Sequence, residues 1–464
     1  MIVVSVLSFF NPLAAESYSD FVFDDAKSHQ NYGAVSKSKP KSIEAEGWNV
    51  DTQLFLSPSF RSQKGGEDSE RANRYLSKNQ IVAPTRIQNT QSNFNFGFLI
   101  SPRAIYTEER ITNREIQKIG DSEAFLYWTQ NINTTKLKID AGRAYNRLDR
   151  FGFLFVGMSN FGQIQITSQN RWEWNLIGLV FKNEEENLDE RAFRQKTRNI
   201  AGTSLKSNDL FFWEEWRIFF YRYKEPVFNP NQNPFLPQRN FGEFMYSGFD
   251  FRSKRLNDFY FFDLSFINAL GERKNSFTPF SETKFVTNSI LAYGALHREE
   301  SDLFLSLAGL YTKKDQRNRS DFNSNGFAGS GAEPRVLGGY SSFLLYQTIS
   351  DSEPIFNDTK INKDPNFENK GIQIFGMQIG KRWNSKLRTD LFVNRSDSNL
   401  GKGTEVIAKA HITPFESQNS FFQFSIAYAQ VNPMTSRTLL IEPFSEKIPV
   451  KEYVRIYLSS AIQF

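Results

Sequence analysis

The chain contains no cysteine, which removes disulfide frameworks, thiol nucleophiles and Cys-ligated zinc together. Histidine is scarce, with three residues in 464. His29 lies in a polar N-terminal stretch, His297 ends an alternating segment, and only His411 sits well inside one. Long apolar runs are missing too. After Ile2 to Phe10, every apolar stretch is interrupted within a few residues, the mean hydropathy is -0.50, and a membrane helix would need about 20 apolar residues. Neither sign of charge dominates: 56 Lys and Arg nearly balance 51 Asp and Glu, for a net +5. No basic block marks a nucleic-acid partner. No Gly-x-Ser-x-Gly elbow or His-Glu-x-x-His pair occurs, so the enzymatic alternative is a lipase-type wall site using His411.

What the chain has in abundance is aromatic residues, 15% of the total with 47 Phe, spread over short segments that alternate apolar and polar. The last segment is the clearest: Val454, Ile456, Leu458, Ile462 and Phe464 share one parity, and Tyr453, Arg455, Tyr457, Ser459, Ala461 and Gln463 the other. Similar alternation runs through Phe422 to Ala429, Glu405 to Ile412, Leu387 to Asn394 and Trp48 to Leu56. A strand with one face for lipid and one for water pairs every backbone group while only one side-chain row meets hydrocarbon. The expected fold is therefore all-β, a transmembrane antiparallel up-and-down β-barrel over residues 47–464.

Twelve more segments pass: Gln91 to Ile105, Ser122 to Ile132, Thr135 to Arg143, Gly162 to Gln169, Arg171 to Lys182, Leu210 to Tyr223, Phe241 to Ser253, Asp258 to Ala269, Val286 to His297, Asp302 to Lys313, Gly338 to Ile349 and Ile372 to Trp383. That makes seventeen, and bacterial single-chain barrels have even counts. Eighteen strands are expected, with sixteen as the alternative, and Phe322 to Ser330 is the candidate for the eighteenth. Long polar connections such as Gln63 to Thr90, Glu225 to Asn240, Gly271 to Lys284, Asp351 to Lys370 and Asn432 to Lys451 read as extracellular loops. Lys254 to Asn257 and Glu299 to Ser301 read as periplasmic turns. Tyr127 with Trp128, Trp172 with Trp174, Trp213 with Trp216, and Tyr453 with Tyr457 read as interfacial aromatics.

Residues 1–15, MIVVSVLSFFNPLAA, read as the apolar part of a secretory signal, without a basic residue ahead of it. Residues 16–46 read as a polar periplasmic lead-in. The terminal aromatic Phe464 is the group expected to engage barrel-assembly machinery, and lipid of the bacterial outer membrane is the expected surround.

On the polar parity fall Lys136, Lys138, Arg217, Arg388, Lys409 and Arg455, against Asp140, Glu173, Glu215, Asp390 and Glu405. Rows of opposed charge on a pore wall set a transverse field and an ion preference, which points to a porin-like channel for hydrophilic or anionic solutes, with no cofactor. A loop-based adhesin or receptor with a closed lumen is the third reading.

The run LKIDAGRAYNRLDRFGFLFVGMSNFGQIQI, residues 137–166, resembles the alginate-export family of outer-membrane channels. Gly142 and Arg143 match its Gly-Arg pair, Arg150 its following Arg, and Ser159 with Asn160 its Ser-Asn, while Ala144 and Met158 stand where the family has Gln and Trp. DFYFFDLSFINALGERKN and GTEVIAKAHITP resemble that family's hairpins. The resemblance implies an eighteen-stranded barrel, an anionic saccharide as solute, and Arg143 as a further pore-lining residue.

Overall fold

A computed structural model describes residues 42–45, 47–52, 54–65, 73–90, 94–109, 114–119, 122–168, 171–181, 198–224, 238–278, 281–313, 323–324, 327, 334, 336–345, 372–398, 401–413, 421–433 and 451–463. Phe464, the expected signal segment and most of the polar lead-in lie outside them.

The strands form a single sheet of 24 stretches, every wall pairing antiparallel. Several stretches are pieces of one crossing. β2 (Trp48–Thr52) and β3 (Phe55–Gly65) make the first, facing β4 (Asn73–Val82) and β5 (Thr85–Thr90) in one unbroken register from Trp48↔Asn89 to Lys64↔Asn73. β6 (Phe94–Ser101) and β7 (Arg103–Glu109) make the third, β8 (Arg114–Ile119) and β9 (Glu123–Ile132) the fourth. Proline causes two of these breaks: Pro84 and Pro102 bring no N–H to the ladder, and Ala83 N bridges the gap to Pro102 O at 3.1 Å.

Nine continuous crossings follow. They are β10 (Thr135–Arg147), β11 (Val156–Ser168), β12 (Trp172–Phe181), β13 (Arg198–Leu210), β14 (Trp213–Lys224), β15 (Gln238–Ser253), β16 (Tyr260–Thr278), β17 (Ser281–Glu300) and β18 (Leu303–Thr312). The last five are β20 (Ile372–Arg382), β21 (Leu387–Ser398), β22 (Gly401–Ile412), β23 (Phe421–Pro433) and β24 (Lys451–Gln463). The wall closes where β24 pairs with β3, from Tyr453↔Gly65 to Gln463↔Phe55. Below that point β1 (Ser42–Ala45) continues the same edge by pairing with β2.

The wall thus has the expected eighteen crossings, although two of its members differ from expectation. Residues 73–90, read as part of a loop, form the second crossing, and β13 lies where no strand was expected. Because β18 pairs directly with β20, the described residues of Gly338 to Ile349 and of Phe322 to Ser330 add no crossing to the wall. The first contains a single 3-10 turn, Gly339–Ser341, inside the lumen. From the second, only β19 (Asn323–Ser324), alongside β17, and the buried Phe327 are described. Gly271 to Lys284 also differs from the loop reading, because β16 and β17 extend through most of it.

Which face is apolar decides the environment. On β24 Val454, Ile456 and Leu458 are 36 to 43% exposed, whereas Arg455 between them is 1% exposed. A water-soluble barrel would show the reverse, since burying apolar area is what drives folding in water. Trp172 and Trp174 lie on the outer surface. Tyr127, Tyr453 and Tyr457 do not: they turn inward and are buried, so only part of the aromatic reading describes an interface girdle. Connections at the end that carries Asn133 with Thr134 and Ser301 with Asp302 span at most eight residues, whereas the other end carries residues 182–197, 225–237 and 434–450; in such barrels the end with the short turns is the periplasmic one.

Candidate functional site

The lumen is not empty: two connections at the opposite end fold down into it. The first, Leu148 to Phe155 between β10 and β11, carries five apolar residues that are 0 to 3% exposed: Leu148, Phe151, Phe153, Leu154 and Phe155. Its hub is Asp149, whose carboxylate accepts Phe153 N at 2.7 Å and Leu154 N at 2.8 Å. Gly152, at φ 77°, supplies the left-handed position of the reversal. Burial pushes the Asp149 carboxyl above its ordinary range, against the pull of those two amides.

This segment is fastened to the wall far from its own strands. Arg150 N donates to Asp250 on β15 at 2.9 Å, and its guanidinium reaches Glu215 on β14 at 3.1 Å. Lys206 reaches the same Glu215 oxygen at 3.2 Å. Arg217 Nη1 donates to Leu148 O at 3.0 Å. Phe151 and Phe153 pack on Tyr293 of β17, with centroids 4.9 and 5.6 Å away.

The second segment, Val336 to Leu345 between β18 and β20, uses three successive left-handed residues, Leu337, Gly338 and Gly339. Gly338, at φ 97°, holds a conformation that side-chain-bearing residues rarely adopt, and a Cβ there would also displace the Ile407 Cδ1 methyl, 2.5 Å away. The segment docks on β21 to β24. Glu405 accepts Ser342 Oγ at 2.6 Å, Phe343 N at 2.7 Å, Leu344 N at 3.3 Å and Asn394 Nδ2 at 2.7 Å. Asn394 also donates to Leu337 O, and Arg455 Nη1 donates to Ser342 O at 3.2 Å while its guanidinium lies 4.1 Å above the Phe343 ring. Ser341 and Ser425 share a hydroxyl hydrogen bond of 2.7 Å. Beside the second segment a cavity is lined by its Val336 and Leu337 together with Tyr293, His297, Gln378 and Asn394 of the wall.

Of the nine expected pore residues, eight share the inner face. Lys136 and Lys138 lie on β10, with Lys138 Nζ 2.6 Å from Asp140. Arg217 and Glu405 turn out to be anchors of the two segments. Asp390, opposite Lys409, accepts Gln378 Nε2 at 2.8 Å. Lys409 Nζ lies 5.4 Å from the Phe392 ring centre, and Arg388 lies opposite His411. Arg143 is the exception. It pairs with Ala124 and Asn160, four residues along from Ile139 and Ile164 in the same ladder, which is the outward row. Strand period 2 therefore sets Arg143 outside the lumen. It entered through the resemblance, and the register overrules it.

His411 has Arg388 and Gln423 beside it in the ladders and stacks on Phe421 at 5.4 Å. A cation and an amide flank it, where a hydrolase histidine needs an orienting carboxylate. Of the two described histidines, the one that does meet a carboxylate is His297, read in the sequence only as the end of an alternating segment. Its Nε2 lies 3.1 Å from Asp263, which Arg252 also grips through two bonds of 2.9 and 3.1 Å, and its ring lies between Phe261 and Phe304. Inward parity on β15 to β17 was the signal for this cluster.

No protein-family profile matches the chain, and no curated protein does. Solved structures do. Pseudomonas aeruginosa OccK9 (OpdG) superposes with a TM-score of 0.55 at 8% identity, over 89% of this chain and 98% of that one. Acinetobacter baumannii OccAB3 gives 0.51 at 10%, over 89% and 99%, and P. aeruginosa OpdQ gives 0.50 at 10%, over 89% and 98%. The alginate-export resemblance gains no support from these likenesses, which are to Occ and Opd proteins. With eighteen crossings, an apolar outside and these structural relatives, the chain is a β-barrel of the bacterial outer membrane with the porin fold.

Proposed function

We propose that the barrel is a passive channel for small hydrophilic solutes, narrowed by its two inward segments and biased toward anions by the β21 to β24 wall. The observation that carries this reading is the use made of the wall charges around the second segment. Glu405 is engaged by three donors of that segment and by Asn394, and Arg455 is engaged by Ser342 O and the Phe343 ring, so the charges this sector leaves to the lumen are Asp390 against Arg388 and Lys409. A confined lumen screens such an excess less than open water does. The two segments are fixed by charged hydrogen bonds and aromatic packing rather than by disorder, as a constriction of defined width requires. An anionic saccharide fits this chemistry, while nothing in the wall singles out alginate.

Single-channel recording of the purified barrel in planar bilayers, with the reversal potential taken across a salt gradient, tests the reading. Steps of defined conductance with a reversal potential on the anion side support it. A barrel that inserts without conducting supports the closed-lumen adhesin or receptor instead, and a cation-side potential removes the role given to Arg388 and Lys409.

A further inference from the structure

At the periplasmic end most of the tight turns are polar, as at Asn133 with Thr134 and Ser301 with Asp302. Two neighbouring turns are not. The β13–β14 hairpin ends in Phe211 and Phe212, 80 and 55% exposed, and the connection between β15 and β16 presents Leu256 and Phe259, 51 and 40% exposed. Lys254 N donates to Phe212 O at 2.8 Å, and Lys254 Nζ lies 2.5 Å from Asp209 Oδ1, so the two turns form one joined rim.

The backbone at this tip is unusual for its residue. Phe211 has φ 52°, a left-handed position that Gly, Asn or Asp fills more easily in a two-residue hairpin. A bulky apolar residue held there in water gains nothing from the exposure, so a contact outside the chain is what its side chain suits.

The rim is also continuous with the lipid-facing wall. Phe212 lies 4.2 Å from Trp213, which a register shift between Trp213 and Glu215 brings to the outer side. Trp213 stacks on Phe251 at 4.7 Å and meets Phe262 edge-on at 5.7 Å; Phe251 continues to Phe249 at 4.8 Å, and Phe249 to Phe266 at 5.6 Å. Asp250 and Arg252, on the other parity, are 1 and 2% exposed on the inside, which fixes these rings as outward.

We infer that this rim inserts into the periplasmic leaflet of the outer membrane, with phospholipid acyl chains as its occupant. The apolar surface then reaches one turn deeper on the β13 to β16 sector than beside Asn133 or Ser301. A barrel with such an uneven lower edge tilts toward the deep side or thickens the leaflet locally. This reading rests on the outer-membrane fold and not on the channel activity.

Because the chain has no cysteine, a single nitroxide label reports one site. Phe211→Cys and, as a second site on the same rim, Leu256→Cys are labelled in the full-length barrel in phospholipid vesicles, with Phe424→Cys as the lipid reference and Ser301→Cys as the aqueous one. Folding is checked by heat-modifiable mobility. The expected result is oxygen accessibility exceeding that of a water-soluble nickel chelate at 211 and 256, as at 424. Nickel access matching Ser301→Cys at both sites overturns the inference, and so does spin–spin broadening that grows with the protein-to-lipid ratio, which would make a second copy the occupant.

Discussion

Removing the Glu405 carboxylate is the sharpest test of how the second inward segment is held. Glu405→Ala deletes the acceptor of four donors at 2.6 to 3.3 Å and leaves the buried amides of Phe343 and Leu344 without it. Hydrogen bonds to a charged group are worth about 1.5–3 kcal/mol each, and an unsatisfied buried amide costs about 1–3 kcal/mol. Relief of burying the carboxylate offsets part of this. The Arg455, Asn394 and Ser341 contacts of the segment also survive. A net loosening of about 2–5 kcal/mol is expected, which raises the undocked fraction roughly thirty-fold to a few thousand-fold. In single-channel records the variant should show excursions to a higher conductance that the parent lacks. Glu405→Gln keeps one carbonyl acceptor but turns an NH2 toward two N–H groups, so it should behave in between. Open-channel conductance and noise identical to the parent's in Glu405→Ala would refute the claim that this carboxylate holds the segment.

Arg in place of Phe424, on the lipid row, should destabilise the barrel by about 2–4 kcal/mol near the bilayer midplane, while Gln165→Arg on the inner row of β11 should change little; equal shifts in unfolding midpoint in vesicles would overturn the inside–outside assignment. Ser425 is unsuited to that comparison, because its hydroxyl meets Ser341 at 2.7 Å. Replacing Arg388 and Lys409 together by Gln should move the reversal potential toward cations and preserve conductance. Arg455→Gln should additionally increase channel noise, since Ser342 O loses its donor. Asp149→Asn should loosen the first segment by about 1–3 kcal/mol, read as faster hydrogen exchange at Phe153 and Leu154 with the rest of the wall unchanged.

Parity made most of the wall legible, because a period of two is written into each strand that meets lipid on one side and water on the other. It failed where the lipid row is weakly apolar. β13 offers Asn199, Ala201 and Thr203 to the outside beside Gly178 of β12, and residues 73–80 read Asn, Arg, Tyr, Leu, Ser, Lys, Asn, Gln. The false strand at Gly338 to Ile349 passed because Phe343, Leu344 and Leu345 are apolar for docking inside the lumen. The run from Leu148 to Phe155, with its five apolar aromatic and aliphatic residues around Gly152, held a similar message, since a loop bathed in water has little use for three Phe. At the site, parity found Arg388, Lys409, Glu405 and Arg455, yet not their tasks. Which carboxylate meets which guanidinium depends on the stagger between strands and on where the inward segments land, and neither is encoded within a single strand.

The closing pair carries a consequence for how this barrel is made. Phe60 faces Leu458, positions roughly 400 residues apart in the chain, a contact of very high sequence separation. Until β24 is in place, the growing wall keeps two open edges, one along β3 and one along whichever strand was added last. Each edge is a row of N–H and C=O groups that hydrocarbon cannot satisfy, at several kcal/mol per group. Strands therefore cannot enter the bilayer one at a time as stable intermediates. Insertion and closure are coupled, and β1, pairing with β2, covers the stretch of the first of those edges beyond the Gln463↔Phe55 pair.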